Sequence, residues 1–157
     1  MPIREGLSGP YLSAAFVCEK VLNERDGVPS FIRVAERFTV PVLPPGTELP
    51  PGMPIPPKAI QSTLVVLLKA GDLGSGSFRM RIALIRPDGE ELQSNEFSVF
   101  FNGGDENGVA VISPIAIPDP DEGLHWFDVY FEGVRLTRIP LRVLYQLVAL
   151  MPPPPHG

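Results

Sequence analysis

Apolar and polar residues alternate along much of this chain, in short segments separated by Gly, Pro, Asp and Asn. The clearest case is residues 123–143, where Phe127, Val129 and Phe131 share one face of a predicted strand. The dipeptide Glu132-Gly133 then forms a tight reversal, and a second alternating segment follows it. Alternation with a period of two on both sides of a short Gly-containing turn is a strong local signal for a β-hairpin.

Eight segments of this kind can be marked along the chain, with turn residues between them. The second runs from about Ser30 to Val40, and the eighth ends near Val143. Several short strands at regular spacing indicate an all-β fold, so we predict an antiparallel β-sandwich of about eight strands. Immunoglobulin-like and jelly-roll topologies both remain open at this point.

Two segments depart from the strand pattern and define the predicted domain organisation. Residues 41–57 hold eight prolines in 17 positions, which excludes a helix or a central strand and predicts a proline-rich insertion. We therefore predict an N-terminal arm at 1–10, a sandwich domain at 11–143, and an apolar, then proline-rich tail at 144–157.

Composition narrows the classes of partner and compartment. The formal net charge of −5 argues against nucleic acid and against a membrane surface, because both require a basic face. Cys18 is the single cysteine, so no intrachain disulfide can form and we expect it to be a small buried hydrophobe. The first residues contain no apolar segment typical of a secretory signal, and we expect a cytoplasmic protein.

The residues offer little for catalysis, and we predict that the protein is not an enzyme and uses no cofactor. Only two histidines occur, and His125 falls on the apolar face of a predicted strand, where a packed, hydrogen-bonded side chain is the simplest interpretation. Metal ligands are not expected either. The weak alternative is a Ca²⁺-dependent or other small-ligand module that uses the acidic loop residues Asp119, Asp121 and Glu122.

The opening hairpin at 16–40, with its Cys18-Glu19 pair and Asp26-Gly27 turn, resembles a family of small bacterial proteins known only as a domain of unknown function. The Pro87-Asp88-Gly89 turn and the closing hairpin from Gly123 fit the same family. The resemblance covers roughly residues 11–143 and implies a sandwich. His125 stands where an aromatic residue is usual in that family, and the resemblance implies no catalytic residue.

Surplus hydrophobicity is the feature that points to a function. The segment Leu64–Leu68 is apolar on both faces, whereas the outer face of a sandwich strand is usually polar. Something must cover the second faces, either the chain's own insertion and tail or a protein partner. We predict a structural or assembly module that binds protein, most simply copies of itself. Its candidate interface consists of Trp126, Tyr130, Leu144, Tyr145, Leu147, Leu150 and Met151.

Overall fold

The computed structural model describes residues 9–55, 57–103 and 108–148. These residues form two sheets packed face to face, with a single 3₁₀ turn at Gly71–Leu73. Within the described residues, no helix is long and apolar enough to cross a membrane. The strands are β1 (Tyr11–Asn23), β2 (Pro29–Val34), β3 (Arg37–Val42), β4 (Ala59–Lys69), β5 (Ser75–Ile85), β6 (Glu91–Asn102), β7 (Gly108–Pro118), β8 (Gly123–Phe131) and β9 (Val134–Leu147).

Sheet 1 has the strand order β2-β1-β4-β7, and sheet 2 has the order β3-β9-β8-β5-β6. All neighbours are antiparallel except β3 and β9, which run parallel. The arrangement of β1-β4-β7 against β9-β8-β5-β6 is that of an immunoglobulin-like sandwich. It confirms the predicted fold class and selects one of the two predicted topologies.

The predicted second strand, from Ser30 to Val40, is in fact two strands, so the described part of the chain has nine strands rather than eight. The chain passes from sheet 1 to sheet 2 between two consecutive residues, Ala35 and Glu36. The Ala35 N–H donates to the Val17 carbonyl in sheet 1, and the Glu36 carbonyl accepts from the Arg142 N–H in sheet 2. Both halves are apolar and alternating, so the local pattern contains no mark of the crossing.

The last strand does not end at Val143. It continues to Leu147 because β3 provides a parallel partner, which places Thr39 opposite Leu144 and Val42 opposite Leu147. The predicted tail therefore starts inside the sandwich, and the predicted proline-rich insertion starts inside β3. Pro41 causes no conflict there, because β3 is an edge strand with an unpaired side.

The closing hairpin is as predicted. Glu132 and Gly133 both have positive φ values, 47° and 80°, as a two-residue hairpin turn of type I′ requires. Phe127, Val129 and Phe131 are buried between the sheets. They join a core to which all the long strands contribute, including Leu64, Val66, Met80, Leu84, Phe101, Ile117 and Leu141.

Candidate binding surfaces

The outer face of sheet 2 carries the aromatic residues that the sequence singled out. The Arg81 guanidinium lies 4.1 Å from the centre of the Tyr130 ring, and that of Arg138 lies 4.8 Å from the Trp126 ring. Such cation–π stacking is favourable and covers one side of each ring with a hydrated group. Both aromatics thus have intrachain partners, and their predicted role in an interface stays a prediction.

Asp128 anchors this arginine layer. Its side chain is only 5 % exposed, and Oδ1 accepts a 2.7 Å hydrogen bond from Arg138 Nε. Arg135 lies 3.8 Å from the other carboxylate oxygen. Arg135 and Arg138 are three residues apart, so a regular period of two would place them on opposite faces of the strand. The register shift between β8 and β9 at Val129/Tyr130 brings both to this face. The short hydrogen bond that Arg138 donates to Asp128 holds the guanidinium in the position from which it stacks on Trp126.

A cleft of about 690 Å³ lies where β9 ends, and we call it the β9-end cleft. It brings together two predicted interface residues, Tyr145 and Leu147, with the proline-rich segment. Leu144 lies in β9 as well, whereas Leu150 and Met151 lie outside the described residues. The lining residues are Pro41, Val42, Leu43, Pro45, Ile55, Lys58, Glu122, Tyr145 and Leu147.

The charged groups of the β9-end cleft are engaged with their own chain. Lys58 Nζ lies 3.0 Å from Asp119 Oδ1 and 4.5 Å from the centre of the Tyr145 ring. Its interactions with Tyr145 and Asp119 raise the pKa of Lys58. Glu122 Oε2 accepts a 2.6 Å hydrogen bond from the Tyr145 backbone N–H, and the Tyr145 hydroxyl donates to the Pro120 carbonyl. What remains for an occupant is mainly an apolar wall.

The three acidic residues of the weak Ca²⁺ alternative have separate partners. Asp119 pairs with Lys58, Asp121 lies 4.0 Å from Arg86, and Glu122 accepts from the backbone of β9. Across residues 9–55, 57–103 and 108–148, no three acidic, His or Cys side chains gather into a metal-binding group. Each carboxylate that calcium would need is thus already engaged by a group of its own chain.

The outer face of sheet 1 is the surface that sequence reasoning missed. Three register rows cross β1, β4 and β7 there, and none of their nine residues carries a charge. In the middle row, Val65 is fully buried between its neighbours Phe16 and Ile112, whereas Ile112 is 41 % exposed. The rows are Ala14-Leu67-Ala110, Phe16-Val65-Ile112 and Cys18-Thr63-Pro114. We call these nine residues the sheet 1 apolar face.

A signal for this face was present in the sequence. The double-sided apolar segment Leu64–Leu68 supplies Val65 and Leu67 to it, and the sequence left open whether the insertion and tail or a protein partner cover its second face. On β7, every second residue from Ala110 to Ala116 is exposed and uncharged. Only the pairing of β7 with β4 and of β4 with β1 shows that these separate stretches form one surface.

Two buried groups remain, Cys18 and His125. Cys18 is fully buried as predicted, and burial raises the pKa of its thiol. His125 is also packed, at 1 % exposure, but its Nδ1 has no hydrogen-bond partner, so the predicted hydrogen bonding is incomplete. Burial is the main cause that lowers the pKa of His125.

The sequence of this chain matches the model of a family of unknown function (DUF6941) over residues 13–144. The chain belongs to this family. The match confirms the predicted resemblance to a family of unknown function, and it spans β1 to most of β9. A comparison with curated proteins found no match.

Solved structures that are similar to the chain share little sequence identity with it, as three of them illustrate. An alkylpurine DNA glycosylase, AlkC, from Pseudomonas fluorescens, bound to DNA containing an abasic site analogue, matches at TM-score 0.44 and 15 % identity. That match covers 54 % of this chain but only 26 % of the glycosylase chain.

The CARDB domain of a Pyrococcus furiosus protein in complex with di-metal ions matches at TM-score 0.36 and 14 % identity, covering 86 % of this chain and 89 % of that one. An immunoglobulin-like protein from Pseudomonas aeruginosa matches at TM-score 0.34 and 15 % identity, covering 87 % of this chain and 98 % of that one. Likenesses at these TM-scores are weak, so the fold assignment rests on the two sheets themselves.

Proposed function

We propose that the protein is a non-enzymatic module that acts through protein–protein contacts and associates with a second copy of itself through the sheet 1 apolar face. The single observation behind this proposal is the contrast between the two outer faces. The outer face of sheet 2 has arginines that stack on Trp126 and Tyr130, whereas none of the nine residues of the sheet 1 apolar face carries a charge.

The sheet 1 apolar face would form the centre of an interface with a second copy. Its nine residues span five positions on each of three strands, a flat area of roughly 250 Å² for strands about 4.8 Å apart. A standard stable interface buries about 800 Å² of accessible surface per partner, so a dimer would also bury residues that surround this face.

The lack of charge on the sheet 1 apolar face also favours an identical face as its partner. A charged partner surface would lose hydration against the sheet 1 apolar face without gaining a counter-charge. An identical face carries no such cost, and two sheets stacked about 10 Å apart reproduce the packing found inside a sandwich. The absence of nucleic-acid and membrane partners belongs to the same proposal, supported by the net charge of −5. A cytoplasmic setting and the absence of a cofactor stay predictions.

The experiment is sedimentation equilibrium on the full chain and on Ile112→Lys, which places a charge in the middle row. We expect the wild type to show a dimer mass that falls to the monomer on dilution. Ile112→Lys should be monomeric at all concentrations. Apart from any stabilisation that association gives the wild type, its denaturant midpoint of unfolding should be unchanged.

Val134→Lys is the matched control, because Val134 is a 68 % exposed β-branched residue at the hairpin of sheet 2. It should associate like the wild type. A monomeric wild type at high concentration would end the proposal, and so would an Ile112→Lys variant with the mass of the dimer.

A further inference from the structure

Two neighbouring arginines on the outer face of sheet 2 have no counter-charge in the described part of the chain. Arg37 of β3 and Arg142 of β9 are register partners on adjacent parallel strands, which lie about 4.8 Å apart. The next register partners, Phe38 and Val143, pack into the core, so both arginines point outward, and both are exposed. Like charges side by side on a sheet are destabilising unless another group compensates them.

The other arginines on the described strands of sheet 2 do have carboxylate partners. Their guanidinium groups lie between 2.7 and 3.8 Å from a carboxylate oxygen. The pairs are Arg79 with Glu96, Arg81 with Glu91, and both Arg135 and Arg138 with Asp128. In residues 9–55, 57–103 and 108–148, the side chains of Arg37 and Arg142 take part in no ion pair, hydrogen bond or ring contact. Their N–H donors are therefore available to a ligand.

A groove of about 640 Å³ adjoins this pair of arginines, and we call it the arginine groove. Its lining includes the segment Val34–Glu36, where the chain crosses between the sheets, and the apolar side chains of Leu124 and Pro140. Leu124 is the register partner of Arg142, so one row across three strands carries Arg37, Arg142 and Leu124. The groove thus combines two unpaired cations with an apolar surface.

Among the residues that line the arginine groove, only Glu36 is acidic. Its side chain forms no ion pair with either arginine. Two guanidinium groups and one carboxylate leave the groove with a net positive charge, although the whole chain carries a net charge of −5. A bound anion would be attracted by the arginines and repelled by Glu36, because all three groups lie around the same groove.

We propose that the arginine groove binds an acidic segment of a partner protein. A carboxylate of the segment accepts hydrogen bonds from Arg37 and Arg142, while a neighbouring apolar side chain covers the uncharged residues of the groove. The fork of a guanidinium group matches the geometry of a carboxylate, and arginine is enriched in protein interfaces. Val34 is 59 % exposed, and a protein segment would cover it, whereas a small free acid would leave it in water.

The arginine groove and the sheet 1 apolar face lie on opposite outer faces of the sandwich. Binding of an acidic segment goes beyond the proposed self-association and does not depend on it. One copy of the chain could therefore use both surfaces at once.

The test is an NMR titration of the isotope-labelled full chain with the synthetic peptide acetyl-GLELG-amide. The backbone signals of the groove residues should shift until the site is saturated. The matched peptide acetyl-GLQLG-amide lacks only the charge and should bind at least about ten times more weakly. Equal binding of the two peptides, or no binding of either at millimolar concentration, would overturn the proposal. Hexanoate that binds as tightly as the charged peptide would overturn the choice of a protein segment.

Four variants locate the site. Arg37→Gln and Arg142→Gln should each weaken binding of the charged peptide about tenfold. Glu36→Gln should strengthen binding about threefold, because it removes the repelling carboxylate. Arg79→Gln is the matched control and should bind like the wild type, since Arg79 lies on the same outer face but pairs with Glu96. Unchanged affinity in the first three variants, or weaker binding by Arg79→Gln, would contradict the assigned site.

Urea unfolding separates loss of the site from loss of the fold. Each arginine variant removes one of two neighbouring like charges, so Arg37→Gln and Arg142→Gln should be at least as stable as the wild type. A lower stability of both would show that the pair is compensated within the chain and would contradict the proposal.

The variant Ile112→Lys distinguishes this proposal from the proposed self-association. It should bind acetyl-GLELG-amide as tightly as the wild type does, because Ile112 lies in sheet 1. Loss of peptide binding in Ile112→Lys would contradict the independence of the groove. A wild type that is monomeric but binds the charged peptide would end the self-association proposal and support the groove.

Discussion

The hydrogen bond between Arg138 and Asp128 gives the sharpest stability prediction for this protein. The Asp128 side chain is 5 % exposed, and its 2.7 Å bond from Arg138 Nε is the closest contact of the arginine layer on sheet 2. In the Arg138→Ala variant the buried carboxylate keeps only Arg135, at 3.8 Å. Removing one partner from a buried charge is costly, because the remaining charge is left without compensation.

The expected cost can be assembled from two parts. A hydrogen bond to a charged group contributes about 1.5–3 kcal/mol, and cation–π stacking at an exposed site about 0.5–1 kcal/mol. The Arg138 side chain is 38 % exposed, so water partly replaces it after truncation. We therefore expect Arg138→Ala to lower the free energy of unfolding by about 2–3 kcal/mol. Arg135→Ala should cost under about 1 kcal/mol, as exposed ion pairs do.

Urea unfolding followed by circular dichroism and by the fluorescence of Trp126 would measure both variants. Trp126 is the only tryptophan and lies beneath Arg138, so its spectrum also reports the loss of stacking. The double variant Arg138→Ala/Asp128→Asn completes a cycle and should show a coupling of more than about 1 kcal/mol. Equal costs for Arg138→Ala and Arg135→Ala, or a coupling near zero, would refute the assignment of the stabilisation to the short bond.

Two further predictions concern the core. Phe127 is 4 % exposed and Phe100 is 61 % exposed, so Phe127→Ala should cost about 3–5 kcal/mol and Phe100→Ala under about 1 kcal/mol in urea unfolding; variants of equal stability would contradict the assigned facing of the strands. Because burial lowers the pKa of His125, the unfolded chain gains a proton below about pH 6.5 that the folded chain resists, and stability should fall as pH decreases through that region. His125→Phe should remove this component of the pH dependence, and a variant with the slope of the wild type would show that other groups cause it.

Local chemistry explains why the hairpins could be predicted from sequence. The Pro87-Asp88-Gly89 turn forms as expected, with the Gly89 N–H donating to the Arg86 carbonyl at 2.9 Å. Glu132-Gly133 forms the turn of the closing hairpin. In each case the turn and the alternation around it lie within some 20 consecutive residues, so short-range preferences suffice.

The candidate surfaces were only partly predictable, because each depends on strands that are distant in sequence. Tyr145 and Leu147 were identified as unusually apolar, but the β9-end cleft exists only because β3 lies beside β9, about 105 residues away in the chain. The rows of the sheet 1 apolar face likewise join β1, β4 and β7. Nothing within one strand shows which neighbour it will have.

The sequence by itself determined the class of fold, the turns and the inward side of β8, since these result from a period of two and from residues suited to turns. Tertiary structure alone decided that the segment from Ser30 to Val40 divides between the sheets and that β9 continues past Val143. It also decided that arginines cover Trp126 and Tyr130. Each of these outcomes is a long-range pairing, and its free energy comes from neighbours that the local pattern of a segment does not specify.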